Sequence, residues 1–119
     1  MTKDTVLYKK AFIFSVKIVS LSRLLKEEKK EYVLSKQLLK SGTSIGANIA
    51  EANGAISQSD FSAKISIAYK ESLETKHWLD LLKETSLIET ESHSSLHENA
   101  DELSRILYSI LKSTRIQSQ

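Results

Sequence analysis

The residues of this 119-residue chain that could carry chemistry are two histidine motifs and a few acids. Glu74-Thr75-Lys76-His77 has the Glu-x-x-His spacing with which helical bundles hold di-iron centres. Such a centre needs the motif on two helices and a glutamate on each of the others, and this chain has the motif once. Glu89, His93, His97 and Asp101 form a ladder at four-residue steps, and histidines at i and i+4 can share a transition-metal ion. No third ligand from another segment is evident, so the ladder reads as a polar helix flank. Glu71 and Glu74 could serve as an acid–base pair, but a long helix face offers them no pocket. No serine sits in a nucleophile elbow. The absence of cysteine excludes thiol catalysis, disulfides, cysteine-ligated zinc and iron–sulfur clusters. The expectation is a protein that is not an enzyme and calls for no metal and no cofactor.

Charge is more informative. Residues 1–40 hold ten Lys/Arg against four Asp/Glu, and residues 41–119 hold seven against eleven. The net charge of the whole is only +2. Either the basic part attracts phosphates, or basic and acidic surfaces of neighbouring subunits meet. For phosphate binding the candidates are Lys9, Lys10, Lys17, Arg23, Lys36 and Lys40. A ring of identical subunits would repeat the patch and raise its avidity. No aromatic-rich strand or recognition-helix signature appears, so weak sequence specificity is expected of any RNA or DNA binding. The alternative is a protein-interaction scaffold that touches no nucleic acid.

These residues must be positioned by helices. The chain has no proline, where an average composition would supply about six, and only three glycines. Apolar periodicity marks four helices. The first runs from about Asp4 to Lys29 with the stripe Leu7, Ala11, Phe14, Ile18, Leu21 and Leu25. It also carries Val6, Phe12, Ile13, Val16, Val19 and Leu24, and a helix apolar on two sides must bury both. The cluster from Lys26 to Glu31 reads as a solvated link. The second helix, about Leu34 to Asn53, has the stripe Leu34, Leu38, Ile45, Ile49 and Ala52.

In this second helix Gly42, Gly46 and Ala50 form a small-residue row. Each helical glycine costs about 1 kcal/mol relative to alanine, so the row predicts a close helix approach. A phosphate-cradling loop is the other reading, but the chain lacks the preceding strand and the Gly-Lys-Ser/Thr ending. Asn53-Gly54 reads as the helix stop. Ser57 or Ser59 is placed to cap the third helix, which runs to about Thr85. Its stripe is Phe61, Ile65, Ala68, Ser72, Thr75, Leu79 and Leu82. The small centre Ala68–Ser72 predicts that helices two and three pack closely at mid-height. A second stripe, Ile67, Glu71, Glu74, Trp78 and Leu81, suits a subunit interface together with Phe12, Val16 and Val19. The fourth helix begins between Glu89 and Glu91, runs to about Arg115, and has the stripe Leu96, Ala100, Leu103, Leu107 and Ile110. Helices of about 30 to 40 Å joined by short links predict one all-α domain over residues 1–119, an up-down-up-down antiparallel four-helix bundle.

Lys9 and Lys10 before the apolar run Ala11 to Val16 mimic a targeting signal. Lys17 interrupts that run, and Arg23 and Lys26 follow where a cleavage site would lie. No stretch reaches the roughly 20 apolar residues of a membrane span, so no membrane association and a cytoplasmic location are expected.

Two strings carry a family resemblance. One is Leu34-Ser-Lys-Gln-Leu-Leu-Lys-Ser-Gly-Thr-Ser-Ile-Gly-Ala-Asn-Ile-Ala-Glu-Ala52. The other comprises Asp60-Phe61-Ser-Ala-Lys64, Ile67-Ala-Tyr-Lys-Glu71 and Glu74-Thr-Lys-His-Trp-Leu-Asp-Leu-Leu82. Together they closely resemble the 23S rRNA-intervening-sequence proteins, a family also labelled as a ribosomal protein. Lys40 and His77 stand where many members have arginine and tyrosine, and lysine does not bind phosphate bidentately. The resemblance implies a left-handed four-helix bundle assembled as a homopentamer, with no catalytic residues to carry over. It also implies that Gly42, Ser44, Gly46, Asn48, Glu51, Glu71 and Glu74 are determinants of fold and assembly. The family's name reflects where some members are encoded, inside inserts in ribosomal RNA genes, which is not an activity. The chain is also distantly similar to the accessory protein of diversity-generating retroelements, a basic pentameric barrel that binds nucleic acid and a reverse transcriptase.

Overall fold

The chain forms four helices: α1 (Lys3–Glu27), α2 (Val33–Asn53), α3 (Gln58–Glu84) and α4 (Thr90–Ser118). The computed structural model describes residues 3–118, with side chains from 6 to 114. The helices lie side by side in a rod about 48 Å long and 21 Å across. Their order is antiparallel throughout. Gly42 and Gly46 of α2 face Ile18 and Ala11 of α1. Glu51 pairs with Lys64 across α2 and α3, and Asp101 with Lys76 across α3 and α4. Lys10 pairs with Glu102 to close the bundle between α1 and α4. In each case a later residue on one helix meets an earlier one on the next, as an up-down-up-down bundle requires. Consecutive helices pack broadly, while α1 and α4 meet over a narrower seam.

The core follows the apolar stripes. Leu7, Ala11, Phe14, Ile18 and Leu25 of α1 are buried, as are Leu38, Ile45, Ile49 and Ala52 of α2. Ile65, Ala68, Leu79 and Leu82 of α3 join Leu96, Ala100, Leu103, Leu107 and Leu111 of α4. Leu21, Leu34 and Phe61 are only half-buried, and Leu111 rather than Ile110 takes the last buried turn of α4. Among the described residues, the buried polar side chains are serine and threonine hydroxyls. Ser72 Oγ donates to the Tyr69 carbonyl at 2.6 Å and lies 2.7 Å from Ser104 Oγ of α4. Neutral hydroxyls bonded in this way avoid the cost of a buried unpaired polar group.

Helix ends are set by local hydrogen bonds. At the start of α2 the Glu31 carboxylate accepts from the N–H groups of Val33 and Leu34, both at 2.8 Å, placing negative charge at the positive helix end. Ser57 caps α3 by accepting from the Asp60 N–H at 3.0 Å. After α1 the chain reverses through Lys30 at φ 54°, with the Glu31 N–H returning to the Leu25 carbonyl. After α3 it reverses through Ser86 at φ 61°, with the Leu87 N–H returning to Leu82. Both are left-handed C-terminal caps made without glycine. Gly54, at φ −100°, follows the end of α2 in ordinary backbone. The Asn53-Gly54 signal therefore marks the stop correctly, while the left-handed turns fall elsewhere.

The small-residue row makes the close helix approach it predicts, at Gly42 and Gly46. Gly42 and Gly46 are buried, but the helix they approach is α1, not α3. Ala50 leaves the row and is exposed. At 100° per residue, eight residues turn the helix about 80° past the seam, so a row of fours cannot stay on one face for long. On α3, Ala68 and Ser72 are both fully buried, and Ser72 meets α4.

Candidate nucleic-acid interface

The six cations expected to bind phosphate do not share one face. Lys10 is 3.2 Å from Glu102, and Lys17 donates to the Asn99 side chain at 3.2 Å, so both tie α1 to α4. Lys9 lies beside Tyr8, Phe12 and Ile13 on the outer side of α1. Lys40 faces Glu71 of α3. Glu71 is held above the ordinary carboxylate range mainly by burial and then by Glu74, while Lys40 pulls it back.

Arg23 and Lys36 do converge. They line a groove of about 420 Å³ between the end of α1 and the start of α2. Lys26 joins them there, although its place in a run of mixed charge suggested only a solvated link. None of the three cations has an ion-pair partner among the described residues, and no acidic side chain lines the groove. The nearby Glu31 carboxylate is engaged with the first N–H groups of α2. The walls are Val19, Leu39 and Tyr32, a residue 57% exposed. Ser22 and Ser35 also line the groove and are buried, at 6% and 3% exposure. The Ser22 hydroxyl has no hydrogen-bond partner. An unpaired cluster of three cations is suited to phosphate oxygens.

Tyr32 and Lys26 were not singled out from sequence. Their signal is positional: Lys26 stands seven residues after Val19 on the same helix line, and Tyr32 and Lys36 enter α2 opposite it.

The surface beside this groove is apolar. Phe12 and Val16 are 54% and 53% exposed, Ile13 is exposed, and Val19 is half-buried. On the second α3 stripe, Ile67 and Glu74 are exposed and Glu71, Trp78 and Leu81 half-buried. Trp78 Nε1–H donates to Glu74 at 3.1 Å, and the His77 ring meets the Trp78 ring edge-on. Glu74 and His77 thus serve an outer face instead of pointing together into the core.

The ladder on α4 also divides. Asp80 of α3 places Oδ1 2.7 Å from His93 Nε2 and 3.7 Å from His97 Nε2, pinning α4 to α3. Asp101 instead receives Lys76 at 3.1 Å and Arg105 at 3.2 Å. Its carboxyl is held below the usual range, mainly by the Lys76 hydrogen bond. A second cavity, about 730 Å³, lies at the opposite end of α1 and α2 from the groove, among Leu7, Ala52, Phe61, Ile106 and Ile110. No charged side chain among the described residues lines it.

No helix among the described residues is long and apolar enough to cross a membrane. Residues 3–109 match the sequence profile of the 23S rRNA-intervening sequence proteins. The chain is also similar to a protein of unknown function from the S23 ribosomal protein family of Bacteroides thetaiotaomicron VPI-5482, seen in a crystal structure at 1.70 Å. The two are 48% identical and superpose with a TM-score of 0.90, over 92% of this chain and 98% of the other. A comparison with curated proteins finds no match.

Proposed function

From the premise that the chain belongs to the 23S rRNA-intervening sequence protein family, we propose that it is a non-enzymatic, cytoplasmic, homo-oligomeric protein that binds RNA through repeated basic grooves. The observation that carries this reading is the convergence of Arg23, Lys26 and Lys36 on one groove without a compensating acid. Binding is electrostatic: the three cations neutralise phosphates and release their counterions. Because these contacts reach the backbone, sequence specificity is weak.

Oligomerisation is supported by Phe12, Ile13 and Val16, three large apolar side chains more than half exposed on one stretch of α1. A subunit count of five is the family expectation. A ring sets several grooves side by side, and joint engagement raises affinity without any new contact.

The test is binding of labelled structured RNA and duplex DNA at about 50 and 200 mM salt. Three phosphate contacts predict about a forty-fold loss on duplex DNA over that range, and more if several grooves engage. An intact oligomer that binds neither nucleic acid at the lower salt would contradict the proposal and turn attention to protein partners.

A further inference from the structure

The groove holds more than cations. Tyr32, 57% exposed, lines it, and Val19 and Leu39 add apolar wall beside it. Ser22 and Ser35 are its most buried lining residues, and the Ser22 hydroxyl is unpartnered. A surface built only to hold a phosphate backbone needs no exposed tyrosine. The volume of about 420 Å³ falls in the range of roughly 300–1,000 Å³ typical of small-molecule sites.

Resting on the nucleic-acid reading, we infer that the groove takes one unpaired nucleotide of a single strand, its base against Tyr32 and its phosphate on Arg23, Lys26 and Lys36. A paired base lies stacked between its neighbours and cannot offer its face to a side chain, whereas an unpaired one can. Every base has a π-face, so stacking on Tyr32 selects single strands without selecting sequence. The guanidinium of Arg23 can grip a phosphate with two parallel hydrogen bonds, and the two lysines add charge around it.

The test compares one labelled oligonucleotide, single-stranded and annealed to its complement, against wild type, Tyr32→Ala, Tyr32→Phe and Arg23→Ala/Lys36→Ala. Tyr32 is exposed at a helix start, so its variants keep the fold, as a helical circular dichroism melt will verify. The single strand should bind about tenfold more tightly than the duplex, and Tyr32→Ala should remove about that factor on the single strand only. Tyr32→Phe should behave as wild type. If Tyr32→Ala changes nothing, or weakens both strands alike, the inference fails. Should Arg23→Ala/Lys36→Ala still weaken both strands in that case, the phosphate reading survives it. Absence of binding to either form overturns both.

Discussion

Gly42 of α2 and Ile18 of α1 stand so close that no Cβ fits between them: a methyl placed on Gly42 would lie 2.8 Å from Ile18 Cγ2 and 2.9 Å from Cγ1. Isoleucine is stiff at χ1 and cannot swing those atoms aside. Gly42→Ala gains about 1 kcal/mol of helix propensity but loses about 1–3 kcal/mol to overpacking. We expect a net destabilisation, a thermal midpoint lowered by about 4 °C per kcal/mol. Gly46 is looser, with the nearest atom at 3.4 Å, so Gly46→Ala should be neutral or stabilising. In an Ile18→Ala background the penalty at position 42 should vanish. An equal response at the two glycines would refute this account of the seam.

Lys30 and Ser86 hold left-handed backbone that glycine adopts without strain. Ser86→Gly should raise stability by about 0.5–1 kcal/mol, read from urea melts. Gly54→Ala should be tolerated, because Gly54 has a negative φ and its Cβ would meet nothing closer than 3.7 Å. A destabilised Gly54→Ala together with a destabilised Ser86→Gly would contradict the assignment of the turns.

Glu71 and Asp101 respond to pH with opposite sign. The folded state raises the Glu71 carboxyl, so its ionised form costs stability at neutral pH, and that cost disappears as pH falls through the raised value. The folded state lowers the Asp101 carboxyl, so its contribution is present above the ordinary aspartate range and is lost as pH falls through the lowered value. At pH 7, Glu71→Gln should raise the melting temperature and Asp101→Asn should lower it. Both differences should shrink toward pH 3. Melts across pH 3–8 check this, and shifts of the same sign at pH 7 would contradict it.

The apolar strip on α1 predicts assembly. Wild type should exceed the 13.4 kDa chain mass in solution by several-fold. Phe12→Asp/Val16→Asp should fall to monomer mass while keeping its helical spectrum, because neither residue belongs to the core. Light scattering at micromolar concentration decides it: a monomeric wild type, or a variant of unchanged mass, would sink the assembly claim.

The core was legible because a helix exposes its apolar period directly. Leu7, Ala11, Phe14, Ile18, Leu21 and Leu25 are read at alternating steps of four and three, and all but the half-buried Leu21 are buried. The turns were harder. Lys30 and Ser86 reverse the chain through backbone hydrogen bonds, with no residue type to announce them. The cations were least legible. Arg23, Lys26 and Lys36 meet only because α1 and α2 run antiparallel in a register that brings Gly42 against Ile18. The same arrangement turns Lys10 and Lys17 toward α4, where Glu102 and Asn99 receive them. Charge counts along a chain do not reveal which cations another helix has already engaged.

The most direct test of the central claim compares two double variants in RNA binding at about 50 mM salt. One, Arg23→Ala/Lys36→Ala, removes cations from the groove. The other, Lys10→Ala/Lys17→Ala, removes the same number of charges from the α4 side. The account predicts a loss of tenfold or more for the groove variant and a small change for the other, with both oligomers intact. Equal losses would reduce the effect to net charge and contradict a groove that binds phosphate.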